Sequence, residues 1–407
     1  MATRVPHTAR TARGQASRKA RWRTARGGAA AILCIALARG CWLAAGLLSE
    51  FRGSPAAVAV NSSVVARDLV TRRTTAATIV EQHGRYFRNT NLKMTATTAI
   101  AILAGSVSWR ESFALVSRNR AKFTHVAPAW FVVSANGRVT SSEWWPVRAL
   151  VAFSLRLPPA RLFTPLVSFK DFDLPADNST HPELAARLAV SVAGSCGSSS
   201  CDGLLVDIHL ALRRQADARP FANAFVRALS ARLRGGRAGG RQLLLLVPAY
   251  SDAFGVADVR ELLEHVDAFI VQTFGFSSKV PGPSAPLPWM QHALTGLLPA
   301  ESASVSGQKL VAMVRLGGND FRASGGGPLC NRTRYLELLR LHSPRLDWYA
   351  EASEHVFAYT DQRNASHSVY HPTLKSLHDR LTAIRSWGVG VAVDEIHCGL
   401  DYMFDLL

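Results

Sequence analysis

From about residue 97 the chain alternates between short apolar runs and amphipathic stretches. The apolar runs occupy 98–104, 123–133, 162–169, 204–210, 243–247, 268–274, 310–316 and 389–393. Between them, 183–192, 221–233, 259–266, 290–298, 335–341 and 374–387 place apolar residues at spacings of three and four, the signature of helices with one buried face. Continuous apolar strands separated by helices predict a parallel sheet covered on both sides. Eight such strands over some 300 residues fit an α/β fold of the (β/α)8 barrel type better than an open sheet. Two stretches depart from that rhythm. Residues 344–373, with Trp348, Phe357, Tyr359 and Tyr370, read as extended and turn-rich, a small antiparallel insertion between strands 7 and 8. Residues 60–96 precede the first strand and form an N-terminal arm or cap. The glycine tracts at 235–240 and 325–327 match no phosphate-loop spacing and read as connectors.

Composition adds a compartment. Hydrophobic residues make up 48% and charged residues 19% of 407, which excludes a disordered polyelectrolyte. The net charge is +18, and taken whole it suggests an anionic partner. Residues 1–59, however, hold ten cations against the single acid Glu50, half of that excess. Within this segment a basic stretch precedes apolar runs at 29–38 and 41–48, interrupted by Arg39, and Ala57-Val58-Ala59 follows. That is the order of a secretory signal or signal anchor, with possible membrane anchoring through 29–48; an organellar transit peptide and a plain basic tail are the alternatives. Four sequons, at Asn61, Asn178, Asn331 and Asn364, suit a glycosylated lumenal protein. Without the leader four cysteines remain, Cys196, Cys201, Cys330 and Cys398. Two disulfides in an oxidising lumen are expected, Cys196–Cys201 and Cys330–Cys398, although four cysteines allow three pairings. With the leader set aside, nucleic acid is not needed to explain the charge.

The segment richest in chemistry is Cys201-Asp202-Gly203-Leu204-Leu205-Val206-Asp207-Ile208-His209-Leu210. On a strand, Leu205, Asp207 and His209 share a face, and a buried carboxylate and imidazole each need a partner. The stretch resembles the fourth-strand signature of glycoside hydrolase family 18, the chitinase-like barrels, D-G-x-D-x-D-x-E. Asp202 and Gly203 match its opening pair and Asp207 its last inner Asp. Leu205 replaces the first inner Asp, and His209 stands where the catalytic Glu belongs. Further along, Ala352-Ser353-Glu354-His355, His371-Pro372-Thr373-Leu374-Lys375-Ser376-Leu377, Gly388-Val389-Gly390-Val391 and the ending Gly399-Leu400-Asp401-Tyr402 to Asp405-Leu406-Leu407 are similar to a non-enzymatic, lumenal or secreted lectin subgroup of that family.

The resemblance implies a family 18 barrel, and the substitutions imply lost chemistry. Enzymes of the family need a carboxylic acid of raised pKa to protonate the leaving oxygen while the substrate's N-acetyl group attacks. Here that position is His209, Gln272-Thr273-Phe274-Gly275 stands where active members carry Tyr-Asp, and Asp394, followed by Glu395, replaces the floor Trp. The leading expectation is a non-catalytic binder of oligosaccharides or glycoconjugates, with a receptor protein as a further partner. Its ligand residues would be Asp207, His209, Asp394 and Glu395 at the barrel mouth, together with Trp109 and Trp130. The bland readings are a self-satisfied polar core for the first group and core packing for the tryptophans. The enzyme alternative gives a protonated His209 the acid's role and Asp207 the stabiliser's. A third class is a basic adaptor that binds anionic polymer through residues 1–59. No cofactor or metal is implied: His367 and His371, four apart on an extended segment, would not converge on an ion.

Overall fold

A computed structural model of the chain describes residues 57–93, 98–103, 109–143, 150, 161–199, 201–215, 218–235, 240–249, 251, 253–299 and 307–407. Residues 1–56 of the proposed leader at 1–59 lie outside the described residues. Eight parallel strands close on themselves, and we number them in chain order. They are β1 (Ala99–Leu103), β2 (His125–Val133), β3 (Leu166–Ser168), β4 (Gly203–Val206), β5 (Gln242–Val247), β6 (Ala268–Val271), β7 (Leu310–Arg315) and β8 (Gly390–Asp394). Each pairs with the next, and β8 returns to β1. This is the (β/α)8 barrel that the sequence predicts.

Alternate strand residues fill the interior, as the two-residue strand period requires. Ile100 and Ile102, Leu244 and Leu246, Ala268 and Ile270, and Val311 and Met313 meet Ala127, Leu166, Leu205 and Ala392 in one buried cluster. The helices Trp109–Arg118, His181–Ser199, Ala218–Gly235, Val256–Leu262, Leu287–Thr295 and Leu374–Ser386 lie between strands in sequence. Gly203 is a forced glycine. A Cβ there would lie 2.4 Å from the Gln242 carbonyl oxygen, so β4 approaches β5 only without a side chain.

Three boundaries differ from the expectation. The run at 162–169 splits into Leu162–Phe163 and β3, because Pro165 lies between them and has no N–H for the ladder. The fourth strand stops at Val206. Asp207 takes φ −102° and ψ 14°, and Ile208–Ala211 coils into a helical turn closed by Ala211 N–H donating to the Asp207 carbonyl at 2.8 Å. The antiparallel insertion between strands 7 and 8 begins at Gly318 and is larger than 344–373. Its five strands run in the order Leu329–Cys330, Gly318–Arg322, Ser366–Tyr370, Glu354–Thr360, Asp347–Tyr349, and the helix Arg332–His342 belongs to it.

The C-terminal motif holds these parts together. In the terminal 3-10 helix Asp401–Leu406, buried Asp401 pairs with Arg118 and, at 2.8 Å, with Arg332 of the insertion helix. Asp405 accepts from Val64 N–H at 3.1 Å and Phe87 N–H at 2.8 Å. The N-terminal arm, which pairs Val58–Val60 with Arg85–Phe87, is thereby fixed to the chain's end.

Candidate functional site

Catalytic and binding groups of such barrels sit at the C-terminal ends of the strands. There a cleft of about 230 Å³ opens. Its floor is apolar, with Ile102, Leu166, Leu246 and Met313; Ser142, Ser168, Lys170 and Asp394 supply the polar groups. Asp394 ends β8, and burial, then the neighbouring Glu395 carboxylate, push its carboxyl up to about 7. Glu395 takes a left-handed turn at φ 50° and accepts from Arg315 Nε at 2.6 Å. The same guanidinium donates to Asn319 Oδ1 at 3.1 Å and lies 5.6 Å from the Phe274 ring centre. Arg315 therefore neutralises one of two adjacent carboxylates and leaves the other facing the cleft.

Asp207 stands at the end of β4. Its carboxylate accepts from Ser168 Oγ at 2.8 Å and from Phe169 N–H at 2.6 Å. Burial raises its pKa to about 6, against the opposing pull of those two hydrogen bonds. Two carboxyl groups of raised pKa thus occupy the strand ends, a pattern that marks functional sites.

His209 is not with them. Because the chain leaves strand geometry at Asp207, the side chains of Asp207 and His209 do not share a face, contrary to the expectation. His209 is 3% exposed, its ring meets Phe254 edge-on at 4.9 Å, and its Nε2 lies 2.7 Å from Asn223 Oδ1. Asn223 Nδ2 donates to Asp258 Oδ1 at 3.0 Å and Glu261 Oε2 at 2.8 Å. The Asn223 oxygen is then an acceptor, so Nε2 carries the imidazole hydrogen. Burial lowers the His209 pKa to about 4, which keeps the ring neutral at mildly acidic pH. The ring lines a separate cavity of about 320 Å³ with Arg213, Gln215 and Arg219.

The opening pair of the motif is structural. Asp202 lies at the opposite end of β4 and accepts from Phe163 N–H at 2.9 Å. Both tryptophans are core, not platforms. Trp109 is 7% exposed and packs edge-on against Phe113 with Arg110 over its ring. Trp130 is 2% exposed, stacked on Phe131 and edge-on to Phe163. A register shift between Ala129 and Phe131 interrupts the strand at Trp130, a local irregularity that alternation does not foresee.

Cys196 and Cys201 are bonded. Cys330 and Cys398 are not bonded to each other here: both are buried thiols whose pKa burial raises, that of Cys330 to about 12. The four sequon asparagines are exposed, and Asn331 also caps the helix Arg332–His342 by accepting from Arg334 N–H. His367 bonds Asp320 Oδ1 at 2.7 Å, whereas His371 stacks on Tyr335. Among the described residues no group of three or more His, Cys, Asp or Glu side chains is placed to hold a metal. Sequence reasoning missed Ser168, Lys170 and Arg315. Arg315 alone left a signal, a cation ending an otherwise apolar strand.

No protein-family model matches the chain. Solved structures resemble it in fold. A chitinase from Chromobacterium violaceum is 18% identical with a TM-score of 0.64, covering 76% of this chain and 98% of its own. The spore cortex-lytic enzyme SleL of Bacillus cereus is 16% identical with a TM-score of 0.62, over 76% of this chain and 73% of that one. A mutant family 18 chitinase of Cycas revoluta, in complex with (GlcNAc)4, is 16% identical with a TM-score of 0.60, over 76% and 98%. These likenesses show the fold, a (β/α)8 barrel like those of the chitinases named.

Proposed function

We propose that this chain is a non-catalytic glycan-binding protein of the chitinase type, acting in the secretory or endolysosomal pathway. The observation that carries the reading is the fate of the acid's position: His209 is neutral, committed to Asn223 and outside the mouth cleft. Proton donation to a leaving oxygen needs an acid within hydrogen-bond reach of it, and His209 meets neither requirement. The cleft keeps an apolar floor with few polar groups, the usual make-up of a small-ligand site. Its ligand would be an N-acetylhexosamine oligosaccharide, the class seen with the Cycas revoluta chitinase, or an anionic glycan drawn by the excess of arginine. The C-terminal third resembles chitinase domain-containing protein 1, the stabilin-interacting chitinase-like protein, and a receptor partner is proposed on that ground. Lumenal placement, with the segment 29–48 as signal or anchor, is proposed from the leader, the exposed sequons and the Cys196–Cys201 bond.

One observation favours a second reading, a hydrolase with repurposed residues. Asp394, with a pKa of about 7, is poised as an acid near neutrality. Incubating the protein with N-acetylglucosamine oligomers at pH 5 and pH 7 separates the two. Binding with the oligomers recovered intact supports the first reading. Cleavage that Asp394→Asn abolishes establishes the second, and absence of binding at both pH values removes both.

A further inference from the structure

The cavity of about 320 Å³ that His209 lines shares no lining residue with the mouth cleft. Its walls come from the chain after β4, from the start of the helix Ala218–Gly235 and from Ala253 after β5. Hydrogen bonds fix those walls. Gln215 N–H donates to the Leu212 carbonyl at 2.9 Å. The Gln215 side chain accepts from Leu174 N–H at 2.8 Å and donates to the Phe172 carbonyl at 3.4 Å. On the opposite wall Arg219 Nε donates to Asp258 Oδ1 at 2.7 Å, and Asp258 Oδ2 accepts from Gly255 N–H at 2.8 Å. A site held this way loses little conformational entropy when it is filled.

The lining carries two guanidiniums, Arg213 and Arg219, and no carboxylate. Arg219 is balanced by the buried Asp258. Arg213 Nη1 donates to the Leu210 carbonyl, and among the described residues no carboxylate pairs with it. One positive charge is therefore unbalanced there. His209 adds an acceptor. Its Nε2 hydrogen goes to Asn223, so Nδ1 bears the lone pair, and Nδ1 is buried without a partner. A buried acceptor left unpaired is costly, so this wall favours a donor. Leu212, Pro220 and three alanines make the rest of the lining apolar, which suits a carbon body more than a bare ion.

We propose that this cavity binds a small hydroxylated carboxylate, an acid of the size and type of a single uronic sugar. Arg213 and Arg219 hold its carboxylate, and one of its hydroxyls donates to His209 Nδ1. The site goes beyond the glycan-binding reading of the mouth and does not depend on it. A guanidinium fork matches a carboxylate's two oxygens. One unbalanced positive charge matches a monoanion better than a phosphate, which carries nearly two negative charges at neutral pH. The volume lies at the lower end of small-molecule sites, room for one ring and not for an oligosaccharide. His209, in the position of the family's acid, thereby serves as a hydrogen-bond acceptor.

Calorimetric titration of the full chain with D-glucuronate, D-glucose and cyclohexanecarboxylate tests the site. D-Glucuronate is expected to bind. Glucose lacks the carboxylate and cyclohexanecarboxylate the hydroxyls, so each should bind at least roughly tenfold more weakly. Arg213 is exposed, so Arg213→Gln should unfold in urea like the wild type while weakening D-glucuronate by at least roughly tenfold. Arg213→Lys, which keeps the charge without the fork, should fall between the two. Methyl β-D-glucuronide mimics the end of a glycan chain: binding equal to that of the free acid points to a chain terminus, and loss of binding to the free acid. Silence of the wild type towards D-glucuronate overturns the proposal, as does an equal affinity for D-glucose. Full affinity in Arg213→Gln overturns it too, because the acid would then lie elsewhere, the mouth included. Tighter binding of glucose 6-phosphate than of D-glucuronate overturns the assignment to a carboxylate. Failure of N-acetylglucosamine oligomers to bind would remove the mouth reading and leave this site standing.

Discussion

Replacing Asp394 by Asn should stabilise the protein in a pH-dependent way. Burial and the Glu395 carboxylate raise the Asp394 carboxyl from the ordinary 3.8 to about 7. Between those values the folded chain holds a proton that the unfolded chain has released. Stability from this group is therefore fully present below about pH 4 and is lost as the pH rises through 7. At 1.36 kcal/mol per pKa unit the full effect is ~4 kcal/mol. Asp394 is only half-buried beside an open cleft, so water screens it, and ~2 kcal/mol is the working figure. Asparagine has the shape of the protonated acid and nothing to ionise. The advantage of Asp394→Asn over wild type should grow by ~2 kcal/mol from pH 4 to pH 8 and then level off. Urea unfolding at a series of pH values measures it directly. Asp207, whose carboxyl is also raised, is present in both proteins and cancels. An advantage that is the same at pH 4 and pH 8, or a variant weaker throughout, would refute the electrostatic account of the mouth.

Other substitutions probe the parts that position the site. Gly203→Ala would drive a methyl against the Gln242 carbonyl at 2.4 Å, and overpacking on backbone should cost ~3 kcal/mol or more, read as a lower urea midpoint. Asp401→Ala would leave Arg118 and Arg332 without their shared buried carboxylate. A loss of ~3–5 kcal/mol is expected, with earlier proteolysis of the N-terminal arm. Asn223→Ala would leave His209, Asp258 and Glu261 each short of a partner and should cost ~2–3 kcal/mol without changing glycan affinity, since none of these side chains lines the mouth cleft.

The barrel was legible because its signal is repeated. Each apolar run had only to be recognised as a buried strand, and errors of up to four residues at its ends left the count of eight intact. The site was less legible because it sits where that regularity stops. Strand alternation placed Asp207 and His209 on one face, but Asp207 uses its carboxylate on Ser168 and Phe169 N–H, and the backbone turns into a helix one residue later. A side chain capturing a neighbouring strand's N–H is a tertiary event with no local pattern. Asp394 and Glu395 were found from the family pattern alone, and periodicity would not have singled them out. Arg315 pairs with Glu395 across 80 positions, which no window on the sequence can see. The C-terminal motif was noticed as a resemblance, and its physical role emerged only when Asp401 and Asp405 met Arg118, Arg332 and the backbone of the arm. Trp109 and Trp130 could be read as sugar platforms by residue type, whereas packing against Phe113, Phe131 and Phe163 buries both.

The central claim is that the mouth of this barrel holds a glycan without cutting it. A crystal structure of the protein soaked with an N-acetylglucosamine tetramer at pH 5 tests it most directly. The account predicts an unbroken chain with one residue between Asp394 and Lys170 and His209 still bonded to Asn223. Cleaved sugar in the cleft, or His209 swung into contact with a glycosidic oxygen, would contradict it, as would a mouth that stays empty at saturating ligand.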